Sequence, residues 1–418
     1  VSPYTIEMYE EKKGQLYTDA YRGALSTDHY TFRGAADGET FEPHFTSHGF
    51  RYIEITGLDE ALPLEQVEVL VLNSLQEKTA SFKTDNELVN KLYSNIVWGQ
   101  KGNFQAVPTD CPQRDERLGW TGDAQIFTRT ATYNRNVQPF FNRWLYTLRD
   151  DQSEIGGFPR FAPLAPTMVN GYYNNAGCGW GDVGIITPWE IYLQYGDTEI
   201  LQKSYGSMCR YMDYLESQAN DFIQPIGGYG DWVALLGTPS DLTNTAYSAL
   251  DAQIMEKVAR ILGKEEDSKK WAERFQNIKS AFCKRFLREN GTLIMPAGSP
   301  ATRDSYSAAY GTGPKTDKDM EMDTQTGYIL PLYANLLDGQ DKEKAVEHLV
   351  DLLEKNDYHL NTGFIGTPYM CLVLSDNGRD DIAYRMFQQE EYPSWLYPVL
   401  QGATTIWERW NSYTKENG

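Results

Sequence analysis

Between Asp110 and Asp123 the chain runs Asp-Cys-Pro-Gln-Arg-Asp-Glu-Arg-Leu-Gly-Trp-Thr-Gly-Asp, which puts four carboxylates, two arginines and a tryptophan into fourteen residues. Pro112, Gly119 and Gly122 punctuate the stretch and no apolar period runs through it, so it reads as a loop. Three of its acids, Asp110, Glu116 and Asp123, are candidates for proton transfer; Asp115 is expected to pair with an arginine. A carboxyl that donates a proton near neutral pH needs apolar enclosure or other carboxylates beside it. Trp120 and the acidic neighbours supply both, and Arg114 and Arg117 would oppose them if they pointed inward. A solvated loop has no use for an indole, whereas a pyranose lays its apolar face on one. The loop is therefore read as a sugar-directed active site.

Cleaving a glycosidic bond takes a proton for the leaving oxygen and a second carboxylate, about 5 Å away for retention and about 6.5–9.5 Å for inversion. Candidates for that partner with aromatic or glycine context are Asp182, Asp231, Asp323 and Glu408. In Met-Asp-Thr-Gln-Thr, Asp323 suits a helix N-cap better. Asp182 and Asp231 fit hydroxyl binding and helix capping equally well. Ile406-Trp407-Glu408-Arg409-Trp410 sets a carboxylate between two indoles.

These residues need a scaffold, and the chain has the length for one large domain and a smaller one, at 418 residues. Aromatic residues make up 13%, with 28 tyrosines and 10 tryptophans, a share that suits carbohydrate binding as well as packing. A net charge of −20 argues against nucleic acid and anionic membranes as partners. The five cysteines, Cys111, Cys178, Cys209, Cys283 and Cys371, show no metal-binding or disulfide spacing, so no cofactor or metal is expected. Cys111 is given a packing role. No apolar run is long enough to span a bilayer, which leaves a soluble chain of undetermined compartment. A start at Val1 without methionine is expected of a piece cut from a longer protein.

Residues 1–80 suggest β structure: Phe50–Ile55 and Val67–Leu72 alternate or are β-branched, between Gly49, Gly57 and Pro63. So few strands cannot close a sandwich alone, and the segment is expected to be the tail of one. From 81 to 418 helices are expected to dominate. Thr84-Asp-Asn-Glu87 has the form of a capping box ahead of Leu88, Leu92 and Ile96. Apolar stripes follow at 140–148, 201–215, 250–261, 271–286 and 345–353. Loops rich in glycine, aromatics and aspartate recur between them, at 171–182, 227–232 and, more weakly, 361–366. Antiparallel helix pairs wrapped into a toroid would gather such loops at one mouth, with Trp120, Trp180 and Trp232 around a funnel. An open solenoid would satisfy the periodicity too, but no fixed-length repeat is visible.

The run Asp110–Gln125 resembles the signature of the bacterial α-L-rhamnosidases, an inverting glycoside hydrolase family, and Gly402-Ala-Thr-Thr-Ile-Trp-Glu-Arg-Trp410 resembles a second motif of theirs. The resemblance implies a mainly α fold, an (α/α)6 barrel from about Thr84 onward, preceded by a truncated β-sandwich tail. It implies Glu116 as general acid and Glu408 as general base, with Asp110 and Asp123 on sugar hydroxyls. Trp180 and Trp232 would be apolar walls around the rhamnose ring and its C6 methyl group, with Trp120 also at the sugar. The expected substrate is a rhamnose-containing glycoside or oligosaccharide. In the family the barrel continues beyond the point where this chain stops, so truncation there is expected. Asn411 stands where the family usually has aspartate.

Three alternatives differ in chemistry. A polysaccharide lyase on an α/α toroid needs a tyrosine or histidine base, and none of His29, His44, His48, His348 and His359 lies in the aromatic loops. A non-catalytic sugar-binding protein would have no need of both Glu116 and Glu408. Other inverting α/α-barrel glycosidases fit the physics, and the loop signature decides against them.

Overall fold

A computed structural model describes residues 15–168, 173–300 and 304–414 of the chain. Gly171 and Tyr172 of the second aromatic loop lie outside the described residues. Helix α1 (Glu87–Asn103) opens the barrel, and five antiparallel pairs with short connections follow among the described residues. They are α2 (Thr121–Asn134) with α3 (Gln138–Asp150), α4 (Val183–Tyr195) with α5 (Thr198–Gln218), and α6 (Ser240–Ile261) with α7 (Glu265–Phe286). A short helix, α8 (Ser305–Tyr310), interrupts the long connection to α9 (Gln325–Tyr333) and α10 (Gly339–Lys355). The last pair is α11 (Thr367–Asp376) with α12 (Asp380–Phe387), and α13 (Leu396–Leu400) ends the described helices.

The inner ring runs α2, α4, α6, α9, α11, each packed on the next. Stretches of it are buried on every side, among them all of Gln325–Leu332 and all of Val183–Pro188. The outer helices carry one stripe each. In α7, Trp271, Ile278, Phe282 and Phe286 turn inward while Glu265 and Glu266 face solvent. Helix α1 packs on α13 through Val89, Leu92, Leu396 and Val399. It is also tied to the first pair, where Gln100 donates to the Ala131 carbonyl and accepts from Asn134, and to the far end, where Asn95 donates to Ala403. The two ends of the row of hairpins are thereby joined. This is a mainly α structure of the (α/α)6 barrel type.

The two strands expected at 50–55 and 67–72 do not form ladders in the described residues. Their backbone is irregular and Ile53, Ile55, Val69 and Val71 are about half exposed. A strand needs a neighbour for its N–H and C=O groups, and the described ladders are two-residue pairs elsewhere, Phe104–Gln105 with Val107–Pro108 and Ile294–Met295 with Met320–Glu321. Two caps are also displaced from the expected residues. Asn86 rather than Thr84 caps α1, accepting from Leu88 and Val89, and Thr324 rather than Asp323 caps α9, accepting from Gly327. In each case the side chain nearest the first helical turn has the shorter reach.

Candidate active site

The loop expected over 110–123 is a loop only to Trp120. Thr121 begins α2, so Asp123 projects from its first turn. Helix entry there depends on Gly122, where a Cβ would come within 2.4 Å of the Trp180 ring. The loop is braced from within: Asp110 Oδ1 accepts from Leu118 N at 3.0 Å, and Arg117 Nε donates to the Arg114 carbonyl at 3.0 Å. Arg117 therefore shapes the loop, and Arg114 is the arginine that points into the acid cluster.

Arg114 Nη2 lies 3.0 Å from Glu116 Oε2 and 3.7 Å from Glu408 Oε2. One guanidinium thus spans two carboxylates that are 292 residues apart in sequence (408 less 116). Each of the two also receives an indole N–H: Trp120 Nε1 donates to Glu116 Oε1 at 3.0 Å, and Trp232 Nε1 to Glu408 Oε1 at 3.4 Å. The indole at Glu408 is Trp232, not its sequence neighbours. Trp410 instead packs on Trp395 and donates to the Thr362 carbonyl at 2.8 Å. A further cation reaches Glu116 from outside the barrel, with Arg22 Nη1 at 3.1 Å from Oε2.

Carboxylates crowd at the centre of this cluster. Burial, with the charges of Asp110, Glu408 and Glu116 nearby, pushes the half-buried Asp123 up to about 8. Burial also raises Asp110, against the hydrogen bond it accepts from the Cys111 thiol at 2.7 Å. Burial and that same contact push the Cys111 thiol up to about 12, so it stays protonated and inert. The cluster Asp110, Cys111, Glu116 has its ligand atoms close together, but Arg114 occupies it with Nε on the Cys111 sulfur at 2.9 Å and Nη2 on Glu116. The guanidinium thus supplies the positive charge at this cluster.

The aromatic wall centres on Tyr229, a residue not singled out from sequence although its loop was. Its ring meets Trp180 at 4.8 Å, Trp232 at 5.6 Å and Trp120 at 5.7 Å, and the Arg160 guanidinium lies 4.6 Å from its centroid. Trp180 is only 3% exposed and backs this wall, while Trp120 and Trp232 are half-buried. Of the expected site residues, Glu116, Glu408, Asp110, Asp123, Trp120 and Trp232 come together in one cluster, and Trp180 stands one layer behind.

Asp182 and Asp231 are structural. Asp182 is fully buried at the entry to α4 and accepts from Gly179 N. It sits beside Asp251, which burial and the Asp182 charge hold protonated, well above the usual carboxylate range. Asp231 Oδ1 accepts from Ile365 N and Gly366 N, and its Oδ2 from Gly363 N and Thr326 Oγ1. This single carboxylate gathers the entry to α11 and ties the 227–232 loop to the 361–366 loop.

The comparisons with known proteins point one way. The family model described as the bacterial alpha-L-rhamnosidase 6 hairpin glycosidase domain matches residues 77–418. A second, the bacterial alpha-L-rhamnosidase concanavalin-like domain, matches residues 4–73. The alpha-L-rhamnosidase of Streptomyces avermitilis is 39% identical over 406 residues, covering 97% of this chain and 36% of the relative. One from Formosa agariphila is 39% identical over 417 residues, covering 97% of this chain and 41% of the relative. The chain thus spans about two fifths of the length of these curated relatives. Among solved structures, that of the Dictyoglumus thermophilum alpha-L-rhamnosidase superposes with a TM-score of 0.77 at 37% identity, over 90% of this chain and 40% of that one. The Streptomyces avermitilis enzyme complexed with L-rhamnose gives 0.71 at 39% identity, over 81% of this chain and 30% of that one.

Proposed function

The chain belongs to the bacterial α-L-rhamnosidase family, and we propose that it is the catalytic part of an enzyme hydrolysing terminal α-L-rhamnosyl residues from rhamnose-containing glycosides. The observation that carries this reading is the pairing of Glu116 and Glu408 across Arg114, each with an indole N–H on its other oxygen. In the proposed reaction Glu408 takes a proton from a water that attacks the anomeric carbon. The bond from that carbon to the aglycone oxygen breaks, and Glu116 gives its proton to the departing oxygen. Glu116 must present an O–H to do so. Its Oε2 is met by two guanidiniums and its Oε1 by an indole, so the incoming glycoside displaces one of these donors.

The distances to Arg114 set a ceiling of about 6.7 Å between the nearer oxygens of the pair (3.0 and 3.7 Å laid end to end). A separation under that ceiling takes in the retaining range of about 5–5.5 Å and reaches only the lower edge of the inverting range of about 6.5–9.5 Å. The assignment of inversion rests on the family resemblance. Asp110 and Asp123 are proposed to hold sugar hydroxyls; a carboxyl pushed up to about 8 can donate a hydrogen bond as well as accept one. Trp120 and Trp232, with Tyr229 and Trp180 behind them, supply the apolar surface for the ring and its methyl group.

The test is hydrolysis of p-nitrophenyl α-L-rhamnoside by the full-length protein beside Glu116→Gln and Glu408→Gln. General acid or base catalysis is worth about 10²–10⁴-fold, and each substitution is expected to cost kcat on that scale with the fold intact. Activity that survives either change shows that the wrong carboxylate has been named.

A further inference from the structure

Arg22 comes from neither the barrel nor any motif, yet its guanidinium touches Glu116. The contact depends on how the segment ahead of the barrel is seated. Tyr21 is buried and its hydroxyl donates to the Gly49 carbonyl at 2.7 Å. Gly23 N donates to Asp115 Oδ2 at 3.0 Å, and a Cβ on Gly23 would stand 2.9 Å from that oxygen. Asp115, expected to pair with an arginine, therefore serves as the anchor for this segment's backbone. A turn closed by Ala24 N on the Tyr21 carbonyl holds Arg22 between these two anchors.

The conformation of Arg22 is the second observation. Its φ of 56° and ψ of −116° are those of the first central residue of a type II′ turn, a place that glycine fills without cost and arginine does not. A non-glycine residue kept there points to a task for its side chain. That side chain is 54% exposed and Glu116 is 23% exposed, so the ion pair adds little to stability. Around Glu116 stand Arg22, Arg114, Trp120, Cys111, Asp110, Asp123 and, across Arg114, Glu408. Among these described neighbours Arg22 comes from ahead of the barrel, and it meets the same Oε2 that Arg114 holds from the barrel's own loop.

We propose that Arg22 is a positioning residue for the rhamnosidase reaction, with the segment before the barrel completing the active centre by fixing the Glu116 carboxylate against the leaving oxygen. The inference rests on the reading of Glu116 as the general acid. Positioning of the acid matters in proportion to the need of the leaving group for a proton. Loss of Arg22 should therefore damage poor leaving groups and spare good ones, a pattern that loosened docking of the segment does not produce.

The experiment compares Arg22→Gly, Arg22→Lys and Glu116→Gln in the full-length protein on 2,4-dinitrophenyl and methyl α-L-rhamnosides, with melting temperatures alongside. Glycine relieves the turn, so Arg22→Gly is expected to melt no lower than the parent. Its kcat should fall about 10–100-fold on the methyl glycoside and less than about threefold on the dinitrophenyl one, with KM little changed. Lysine keeps one charged donor and should recover part of the loss. If Glu116→Gln shows the leaving-group dependence and Arg22→Gly does not, the role of Arg22 is refuted and that of Glu116 stands. If Glu116→Gln loses both substrates equally, the acid assignment fails first and the inference falls with it. A lower melting temperature for Arg22→Gly with equal losses on both substrates makes Arg22 a purely structural residue and overturns the proposal.

Discussion

Asp231→Asn is the sharpest test of how the scaffold holds the site, because it changes one atom of a carboxylate that four donors share. Oδ1 accepts from Ile365 N at 3.0 Å and Gly366 N at 3.1 Å; Oδ2 accepts from Gly363 N at 2.9 Å and Thr326 Oγ1 at 2.5 Å. An asparagine keeps one oxygen, so one of these pairs must face an NH2 group. The cheaper choice turns the amide nitrogen toward Gly363 and Thr326, since the threonine hydroxyl can rotate to accept. The Gly363 N–H is then buried without a partner and opposed by another donor. A stranded donor costs about 1–3 kcal/mol, and a bond to a charged acceptor is worth about 1.5–3 kcal/mol. Burial works against the ionised aspartate, so a net loss of about 3 kcal/mol is expected. At about 2.1 cal/mol/K per residue over the barrel, that is roughly 4 °C in melting temperature. The functional consequence travels through Thr362, whose carbonyl holds Trp410, two residues from Glu408, and through Trp232, whose carbonyl accepts from Phe364 N at 3.0 Å. A fall in kcat of about tenfold or more should accompany the lower melting point. Calorimetry and steady-state kinetics on the same preparation decide it. An unchanged melting temperature refutes the hydrogen-bond argument; a lower one with unchanged kcat refutes the claim that this carboxylate positions Glu408.

Two further outcomes concern Asp123 and its neighbour Gly122. Asp123 is raised from the ordinary aspartate value to about 8: between about 4 and 8 the folded protein holds a proton that the unfolded chain has released, so this residue's contribution falls as pH rises through that window. Asp123→Asn should therefore gain about 1–2 kcal/mol over the parent at pH 8, after allowance for its partial exposure, and lose that advantage by pH 4. Urea unfolding at the two pH values checks the sign. Gly122→Ala places a methyl group 2.4 Å from the buried Trp180 ring; overpacking of this kind costs about 1–3 kcal/mol, and displacement of Trp180 toward Tyr229 should raise KM. A neutral Gly122→Ala would mean that the wall behind Tyr229 is softer than its packing implies.

What could be read from the sequence follows the physics of burial. The stripe of Trp271, Phe275, Ile278, Phe282 and Phe286 announces α7 because that helix has a wet face. No such signal marks α9 or the first half of α4, which are enclosed by their neighbours, and Pro188 and Pro331 inside these two helices argue locally against helix. The composition of Asp110–Asp123 gives away its importance but hides the start of α2 at Thr121, because Gly119 and Gly122 look like loop punctuation while Gly122 is there for close approach to Trp180. The Gly-aromatic-Asp loops stand out as a class, yet the division of labour within one of them does not. Asp231 is spent on backbone amides, Tyr229 is the hub of the wall, and Trp232 serves a glutamate 176 residues away. Arg22 has no local signal at all, since its meaning comes from a partner 94 residues downstream.

The central claim is that Glu408 activates a water on one face of the sugar while Glu116 protonates the leaving oxygen on the other. The identity of the first anomer released tests it most directly. Hydrolysis of an aryl α-L-rhamnoside followed by proton NMR, read before mutarotation, is expected to show β-L-rhamnose appearing first. Initial release of α-L-rhamnose would mean that one of the two carboxylates attacks the sugar itself, and the assigned roles would have to be abandoned.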